Sequence, residues 1–345
     1  MSNLSVAFVG DVNLGSPINP NNVFDLVKRN FEAFDVKFFN LEGCLFDSER
    51  ELEYKPGWHH CDAASVKALV ELRFNAAACA NNVHFSEDAI RSSLSQLDRH
   101  NIVHTGAGMN YDAARTPAIF EAGATKFGLL SYTSVFWPLG HAATENTAGV
   151  ATVKIYTSYQ PHRRLHEMPG APATTLTYPD EQEFEAVKND IRNLRKKVDV
   201  LVIYFHWGVS GSQEPCQYQT TLGRAAIDSG ADLVVGSHPH VVQGVEFYRG
   251  KPIFYSLGNF VFGTGFKPVR GYRTGLVTVA ELRNHEAIKV SAVPNMINGN
   301  EQPTLLAPDQ PESRTIIDSL TRLSAAFGTR VTRDDNRFLL ERADA

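Results

Sequence analysis

The chain alternates short apolar runs with amphipathic stretches along most of its length. The apolar runs are continuous and rich in β-branched residues, as in strands that are covered on both faces. They are "SVAFVG", "VKFFN", "FNAAACA", "TKFGLLSY", "VDVLVIYFHWG", "DLVVGSHPH", "PIFYSLGNF", "GLVTVAEL" and "AIKVSAVP". Between the early runs, "NVFDLVKRNFEAF" and "DEQEFEAVKNDIRNLRKK" place their apolar residues on one helical face. This alternation predicts an α/β fold, with a mixed or antiparallel second half after about residue 251.

Two segments depart from this rhythm. Residues 137–182 are rich in Pro, Thr, Ala and Gly, and a structureless stretch of this length is usually functional or disordered. We interpret it as an insertion that lies over a binding site, within one domain that spans residues 1–306. Residues 307–345 are charged, and their pattern predicts a helical accessory segment that packs on the outside.

Composition narrows the class of protein. The chain has 345 residues and a formal net charge of -5, which argues against a general nucleic-acid surface. Its four cysteines lie far apart without the spacing of a zinc ribbon or a disulfide framework, so we expect reduced thiols. No run reaches the length of a membrane span, and the first residues lack the features of a signal peptide. These observations predict a soluble, cytoplasmic protein.

Polar side chains follow five of the predicted strands at the point where each strand ends. In open α/β sheets, ligands bind outside the carboxyl ends of the strands, so we expect these side chains to meet at one edge. They are Asp11 with Asn13, Glu42, Asn81 and Asn82 with His84, His206, and His238 with His240. The last two histidines flank a proline that ends the strand and places them on a loop.

The chemistry of this set favours a metal site over the alternative, in which each residue is only a helix cap, a turn former or a buried core residue. Two carboxylates, a side-chain amide and three imidazoles suit Mn, Zn, Fe or Ni better than Ca or Mg. The candidates exceed the needs of one tetrahedral ion, so two divalent ions that share a carboxylate are the natural arrangement. Such a site performs hydrolytic chemistry.

The string "GADLVVGSHPHVVQGVEFYRGKPIFYSLGNFVF" resembles the signature of the CapA, or poly-γ-glutamate capsule biosynthesis, family of calcineurin-like metallophosphoesterases. "FVGDVNLG", "FNLEGCL", "AACANNVH", "AARTPAI" and "FHWG" follow in the order of that family, and the resemblance runs from about residue 5 to 297. It implies a four-layer α/β/β/α sandwich with a dinuclear metal site at one edge of the sheets. The ligands it implies are Asp11 and His240 for one ion, Asn82, His206 and His238 for the other, and Glu42 between them.

The sequence departs from the family pattern at three places. Asn13 stands where the superfamily usually has a histidine, and the family's glutamate after "HWG" is missing. Val83 stands where a catalytic histidine would protonate the leaving group, and His84 comes one residue later. The candidate catalytic residues are therefore His84, Asn82 and Asn13, and these departures affect catalysis more than metal binding.

Further residues are candidates for contact with an anionic, small or peptide-like substrate. His59 and His60 lie on a predicted loop, "HRRLH" supplies Arg163 and Arg164, and Asn259 follows the strand "PIFYSL". The leading hypothesis is a dinuclear-metal hydrolase that acts on a phosphoester or an amide. One alternative is a γ-glutamyl-type amide hydrolase or ligase-like enzyme. The other is a non-catalytic, metal-binding accessory protein of polymer or metabolite biosynthesis.

Overall fold

The computed structural model describes residues 3–47, 58–263 and 272–343. Its helices, with a 3-10 turn at Ala63–Ser65, are α1 (Lys28–Phe31), α2 (Val66–Glu71), α3 (Glu87–Arg99), α4 (Tyr111–Arg115), α5 (Glu181–Arg195), α6 (Gln217–Asp228) and α7 (Pro311–Ala325). The strands of the first half are β1 (Leu4–Asn13), β2 (Val36–Leu41), β3 (Ala76–Ala78), β4 (Val103–Thr105), β5 (Ala107–Gly108), β6 (Ala118–Ala122), β7 (Thr125–Thr133), β8 (Gly149–Val150), β9 (Ile155–Gln160) and β10 (Thr174–Pro179). Those of the second half are β11 (Val200–His206), β12 (Leu233–Ser237), β13 (Val245–Tyr248), β14 (Lys251–Phe254), β15 (Asn259–Phe262), β16 (Thr274–Arg283), β17 (Glu286–Ile297), β18 (Pro303–Leu305), β19 (Thr329–Asp334) and β20 (Arg337–Arg342). Within this part of the chain, no helix has the length and apolar character needed to cross a membrane.

Two large sheets organise the described residues. The first has the order β19-β20-β17-β16-β1-β2-β3-β4, with β15 beside β1 and β18 beside β17. Strands β1 to β4 run parallel, whereas β16 and β17 pair antiparallel with their neighbours. The second sheet has the order β13-β14-β12-β11-β7-β6 and a parallel centre. The prediction of an α/β fold with a mixed second half is confirmed.

Apolar side chains fill the space between the two sheets. Phe8 and Phe38 of the first sheet belong to the same buried cluster as Val202 and Val235 of the second. The opposite face of the first sheet packs under helices α2 and α3, and the opposite face of the second packs under α5 and α6. Because side chains alternate across a strand, the continuous apolar runs serve both of these interfaces.

The long helix α5 forms as its sequence predicts. Asp180 accepts backbone N–H bonds at its start, and Val187, Ile191 and Leu194 lie buried on one face. Its charges also follow the helix dipole, with Glu181 in the first turn and two arginines in the last. Burial of this face against the second sheet holds the helix in place.

The two segments that break the rhythm carry regular structure. The segment 137–182 contains β9 and β10, which form a separate two-stranded sheet, and this hairpin contacts α6 through the Tyr218 backbone N–H and Thr177 Oγ1 at 3.2 Å. Residues 307–343, expected to be helical, form α7 and the hairpin β19–β20, and β20 extends the first sheet through β17. The hairpin turns through Asp335, whose φ is 48°. The proposed domain limits stay a prediction.

Candidate metal centre

Three ionisable side chains from three strand ends converge between the two sheets. Ligand atoms of Asp11, Glu42 and His206 all lie within 4.8 Å of one another. Asp11 and Glu42 are fully buried, and His206 is 1% exposed. Carboxylates are removed from water in this way only where charge or hydrogen bonds compensate them. The arrangement therefore suits a cation that sits between the three side chains.

His240 lies against both carboxylates. Its Nδ1 is 3.4 Å from Asp11 Oδ2, and its Nε2 is 3.6 Å from Glu42 Oε1. Burial lowers the pKa of His240, but the charges of Glu42 and Asp11 and the hydrogen bond with Asn259 outweigh it and raise the pKa to about 9. The two carboxylates thus favour a positive charge next to them. A bound divalent ion would supply such a charge.

The remaining predicted ligands complete the group. His206 Nε2 lies 3.0 Å from Asn82 Oδ1, and the His206 ring centroid is 4.8 Å from that of His238. The His238 ring in turn lies 5.6 Å from the ring of His240, and its backbone N–H donates to Asp11 Oδ2 at 3.2 Å. The structure therefore brings together the six residues that the sequence proposes as ligands, and their binding of metal stays a prediction.

The loop that carries His238 and His240 has an uncommon backbone. His238 has a φ of 90° and His240 a φ of 58°, values that residues other than glycine rarely adopt. Pro239 stands between them and keeps its own φ in the usual negative range. This path turns both imidazoles from the end of β12 toward the first sheet. Phe262 and Tyr272 pack on His240, with ring centroids at 4.9 and 5.0 Å.

Asn40 is a site residue that the sequence analysis missed. Its Nδ2 donates to Asp11 Oδ1 at 2.7 Å and lies 3.5 Å from His206 Nδ1. Ser237 Oγ lies 3.1 Å from the same imidazole nitrogen. These contacts orient the Asp11 carboxylate and the His206 imidazole, which are proposed metal ligands. The signal in the sequence is the single amide that ends the apolar run "VKFFN".

Asn13 and Asn81 support the backbone of the site. Asn13 Nδ2 donates to the Glu42 carbonyl at 2.6 Å, and its Oδ1 accepts the Gly15 N–H at 2.9 Å. Asn81 Nδ2 donates to the Leu41 carbonyl at 2.7 Å, and its Oδ1 accepts the N–H of His84 at 3.0 Å. The Asn13 amide, a catalytic candidate in the sequence, is thus used in holding the chain around Glu42.

Val83 and His84 both point away from solvent. Val83 packs in an apolar cluster with Trp58, Phe262 and Ile297. His84 has no exposed surface, and neither ring nitrogen forms a hydrogen bond with a described residue. Burial lowers the pKa of His84 to about 3, and the nearby His60 lowers it further. The catalytic role proposed for His84 stays a prediction.

The substrate candidates lie in different environments. Asn259 is fully buried, and its Oδ1 is 3.0 Å from His240 Nδ1, so it acts on a ligand side chain. His59 is exposed, whereas His60 is half-buried and burial lowers its pKa to about 4. Arg163 and Arg164 are exposed, and Arg164 pairs with Glu167 at 2.6 Å. No contact within the described chain joins these arginines to the buried group.

The comparisons with known proteins agree with this fold. A solved structure of a novel phosphatase from Mycoplasma pneumoniae matches with a TM-score of 0.52 at 13% sequence identity, over 85% of this chain and 94% of that one. At such low identity the likeness shows the fold alone. The PGA biosynthesis protein CapA of Bacillus subtilis is 28% identical over 330 residues, which are 92% of this chain and 78% of that protein.

Two further relatives share most of the chain. The capsule biosynthesis protein CapA of Bacillus anthracis is 25% identical and matches 89% of this chain and 71% of its own length. A probable polyglutamine synthesis accessory protein of Mycobacterium tuberculosis is 25% identical over 88% of this chain and 76% of its own length. The model of the bacterial capsule synthesis protein PGA_cap family matches residues 5–264. The resemblance drawn from "GSHPHVVQG" and "YSLGNF" is confirmed: this chain belongs to the PGA_cap, or CapA, family.

Proposed function

We propose that this protein is a metal-dependent hydrolase that cleaves a phosphoester bond at the buried group around Asp11, Glu42 and His206. The observation that carries the proposal is the convergence of two fully buried carboxylates and an imidazole within 4.8 Å, with His240 against both carboxylates. The order of the packed layers supports it further, because helices, sheet, sheet and helices follow one another as in a four-layer metallophosphoesterase sandwich.

The donor set fits two divalent transition-metal ions. Asp11 and His240 would hold one ion, Asn82, His206 and His238 would hold the other, and Glu42 would lie between them. When bound, such a pair lowers the pKa of water and stabilises the attacking and leaving oxygens of a displacement. Asn40 and Asn259 orient Asp11 and His240 through hydrogen bonds of 2.7 and 3.0 Å. Burial of the group excludes bulk water from these contacts, which strengthens them.

The surroundings of Val83 narrow the substrate class. Val83 has no proton to give, and His84 lies fully buried one residue later, so we expect neither to protonate a leaving group. An alkoxide or an amine leaves poorly without such a proton, whereas an aryl oxide or a phosphate leaves as a stable anion. The geometry therefore favours aryl phosphates or phosphoanhydrides over amides and γ-glutamyl bonds.

A second candidate function is a non-catalytic, metal-binding accessory role in polymer synthesis. The same Val83 and His84 favour it, because a protein that only binds metal has no need of a proton donor. The names of the relatives, which refer to capsule, PGA and polyglutamine synthesis, agree with such a role. The two candidates differ in one measurable property, which is turnover.

The deciding experiment is phosphatase turnover across a series of aryl phosphates with leaving groups of increasing pKa. The protein is loaded with Mn or Zn after chelation, and Asp11→Asn serves as the matched variant that changes one oxygen to nitrogen. We expect turnover that falls steeply as the leaving-group pKa rises and that is lost in Asp11→Asn. Stoichiometric metal binding without turnover of any aryl phosphate would contradict the hydrolase and support the accessory role.

A γ-glutamyl peptide in the same assay separates the amide alternative. Turnover of that peptide in preference to every aryl phosphate would contradict the phosphoester assignment. Metal content, measured by mass spectrometry on the protein and on His240→Ala, shows whether a negative result reflects an empty site. The exposed His285 provides the control His285→Ala, which should keep the full metal content.

A further inference from the structure

A second polar pocket lies at the other end of β2. It has a volume of about 470 Å³ and is lined by residues around α1, the start of β2 and the end of α2. Lys37 lines this pocket, and Glu42 follows the opposite end of the same strand. At about 3.3 Å per residue, the two side chains are attached about 16 Å apart along the strand. The pocket is therefore separate from the metal centre.

Lys37 occupies a position that the strand pattern assigns to the core. Phe39 and Leu41 share its face of β2 and are buried beneath the helices. Lys37 is itself only 4% exposed. Within the described ranges, no hydrogen bond or ion pair reaches its ammonium group. Burial, followed by the charge of Arg73, lowers the pKa of Lys37, and Asp35 offsets this in part.

The acidic side chains of the same lining are engaged elsewhere. Glu71 forms an ion pair with Lys28, and the charge of Glu32 also acts on Lys28. Asp35 Oδ2 accepts the backbone N–H of Ser5 at 2.8 Å. Asp35 keeps its negative charge and acts on Lys37, but no ion pair among the described residues joins any of these acids to the Lys37 ammonium.

The remaining donors of the pocket form a small basic set. Arg73 is exposed and has no ion pair in the described part of the chain. Asn75 Oδ1 accepts the backbone N–H of Lys37 at 2.8 Å, which leaves the amide N–H groups of Asn75 as donors. An ammonium, a guanidinium and an amide are the groups that bind an oxyanion in proteins.

We propose that this pocket binds a small phosphate-type oxyanion through Lys37 and Arg73. Lys37 lies mostly out of water and lines the pocket without an ion pair among the described residues, so an anion in the pocket is attracted to its ammonium group. The volume of the pocket exceeds that of inorganic phosphate and admits the organic part of a small phosphate ester as well. This inference is independent of the proposed hydrolase, since none of the metal-site residues lines the pocket.

The test uses the full chain after chelation, so that binding at the metal centre does not contribute. Thermal unfolding is followed while inorganic phosphate or glycerol 3-phosphate is added to the parent protein, to Lys37→Met and to Lys67→Met. Lys67 is an exposed lysine of α2 and provides the matched control. We expect saturable stabilisation of the parent and of Lys67→Met, with affinity weakened by at least about tenfold in Lys37→Met.

The anion-free proteins give a second readout. Lys37→Met should unfold at a higher temperature than the parent, because it replaces a lysine that is 4% exposed and has no ion pair among the described residues with an apolar side chain of similar shape. If Lys37→Met does not fold, Arg73→Gln replaces it in the titration, since Arg73 is exposed. Equal stabilisation of the parent and the variant, or no stabilisation of the parent by either compound, would overturn the proposal. Tighter binding of glycerol 3-phosphate identifies a phosphate ester as the ligand class, and the reverse order identifies free phosphate.

Discussion

Asn259 Oδ1 lies 3.0 Å from His240 Nδ1, and Asn259 Nδ2 donates to the Tyr272 carbonyl at 2.7 Å. The second bond orients the amide, because only its nitrogen can donate to a carbonyl. The oxygen therefore faces His240 and accepts a hydrogen bond from Nδ1–H. Nε2 faces Glu42, so a metal ion that displaced the Nε2 proton would meet the nitrogen from the side of that carboxylate.

The first prediction follows from this pair. Replacing Asn259 with Leu removes the acceptor that fixes the imidazole, so we expect metal affinity to fall about 10- to 100-fold while the fold is kept. Competition with a fluorescent chelator measures the affinity. Asn189→Leu, at an exposed asparagine of α5, is the control and should bind like the parent. An unchanged affinity in Asn259→Leu would show that His240 is oriented by its other neighbours.

The second prediction concerns the close approach of two backbone segments beneath the site. A Cβ atom on Gly10 would lie 1.9 Å from the carbonyl oxygen of Gly258. We expect Gly10→Ala to lower the free energy of unfolding by about 3 kcal/mol, since the two segments must separate. Gly299→Ala is the control, because nothing lies within 4 Å of its Cβ position. Denaturant unfolding measures both, and equal stability would contradict the tight contact.

The third prediction concerns acid pH. Burial lowers the pKa of His141 to about 4 from its ordinary 6.5, and its Nδ1 accepts the Trp137 backbone N–H at 3.1 Å. As the pH falls below about 6.5, His141 becomes protonated in the unfolded chain. In the folded protein it becomes protonated only near pH 4. The contribution of neutral His141 to the free energy of unfolding is therefore fully present above pH 6.5, and it is lost as the pH falls from 6.5 to about 4.

The variant His141→Gln isolates that contribution, since a Gln oxygen also accepts an N–H bond. Between pH 7 and pH 5 it should lose about 2 kcal/mol less stability than the parent. The pKa values of His60 and His84 are also lowered by burial, so part of the acid sensitivity should remain. Denaturant unfolding at the two pH values provides the measurement, with the exposed His285→Gln as control. The same pH dependence in all three proteins would contradict a buried neutral His141.

The fourth prediction concerns His84. A buried imidazole without a hydrogen bond costs about 1–3 kcal/mol, so His84→Leu should unfold at the same temperature as the parent or higher. Aryl phosphate turnover by the metal-loaded variant should stay within about twofold of the parent, because the proposed aryl phosphate reaction needs no proton from this side chain. A large loss of turnover with unchanged stability and metal content would assign His84 a catalytic role.

The convergence of Asp11, Glu42 and His206 was predictable from sequence because each lies at or near the carboxyl end of an apolar strand. The carboxyl ends of the parallel strands β1 and β2 meet at one edge of the first sheet, whereas the approach of His206 from β11 depends on how the second sheet packs on the first. Asn40 was not predicted as a site residue because it lies inside a strand that is buried on both faces. In such a strand, alternation does not separate site residues from core residues.

The orientation of Asn13 was not predictable. It follows Asp11 by two residues, and a regular strand would place both on one face. The pairing of β1 with β15 is irregular between Asp11 and Val12, which breaks that period, and Asn13 instead holds the Glu42 carbonyl. The hairpin β19–β20 was missed for a different reason. Its turn signal, "RDDNR", lies in a charged tail that also fits a helix.

The left-handed backbone at His238 and His240 has a consequence for the evolution of the protein. Each such residue costs about 1–3 kcal/mol, and glycine would remove that cost. Glycine has no imidazole, however, so the loop keeps histidine at both positions, and the cost of the strained backbone lowers the free energy of unfolding. If the proposed metal site is correct, the two histidines place a conflict between stability and metal binding in one three-residue segment. Selection for stability alone would then favour glycine at these two positions and remove two proposed ligands.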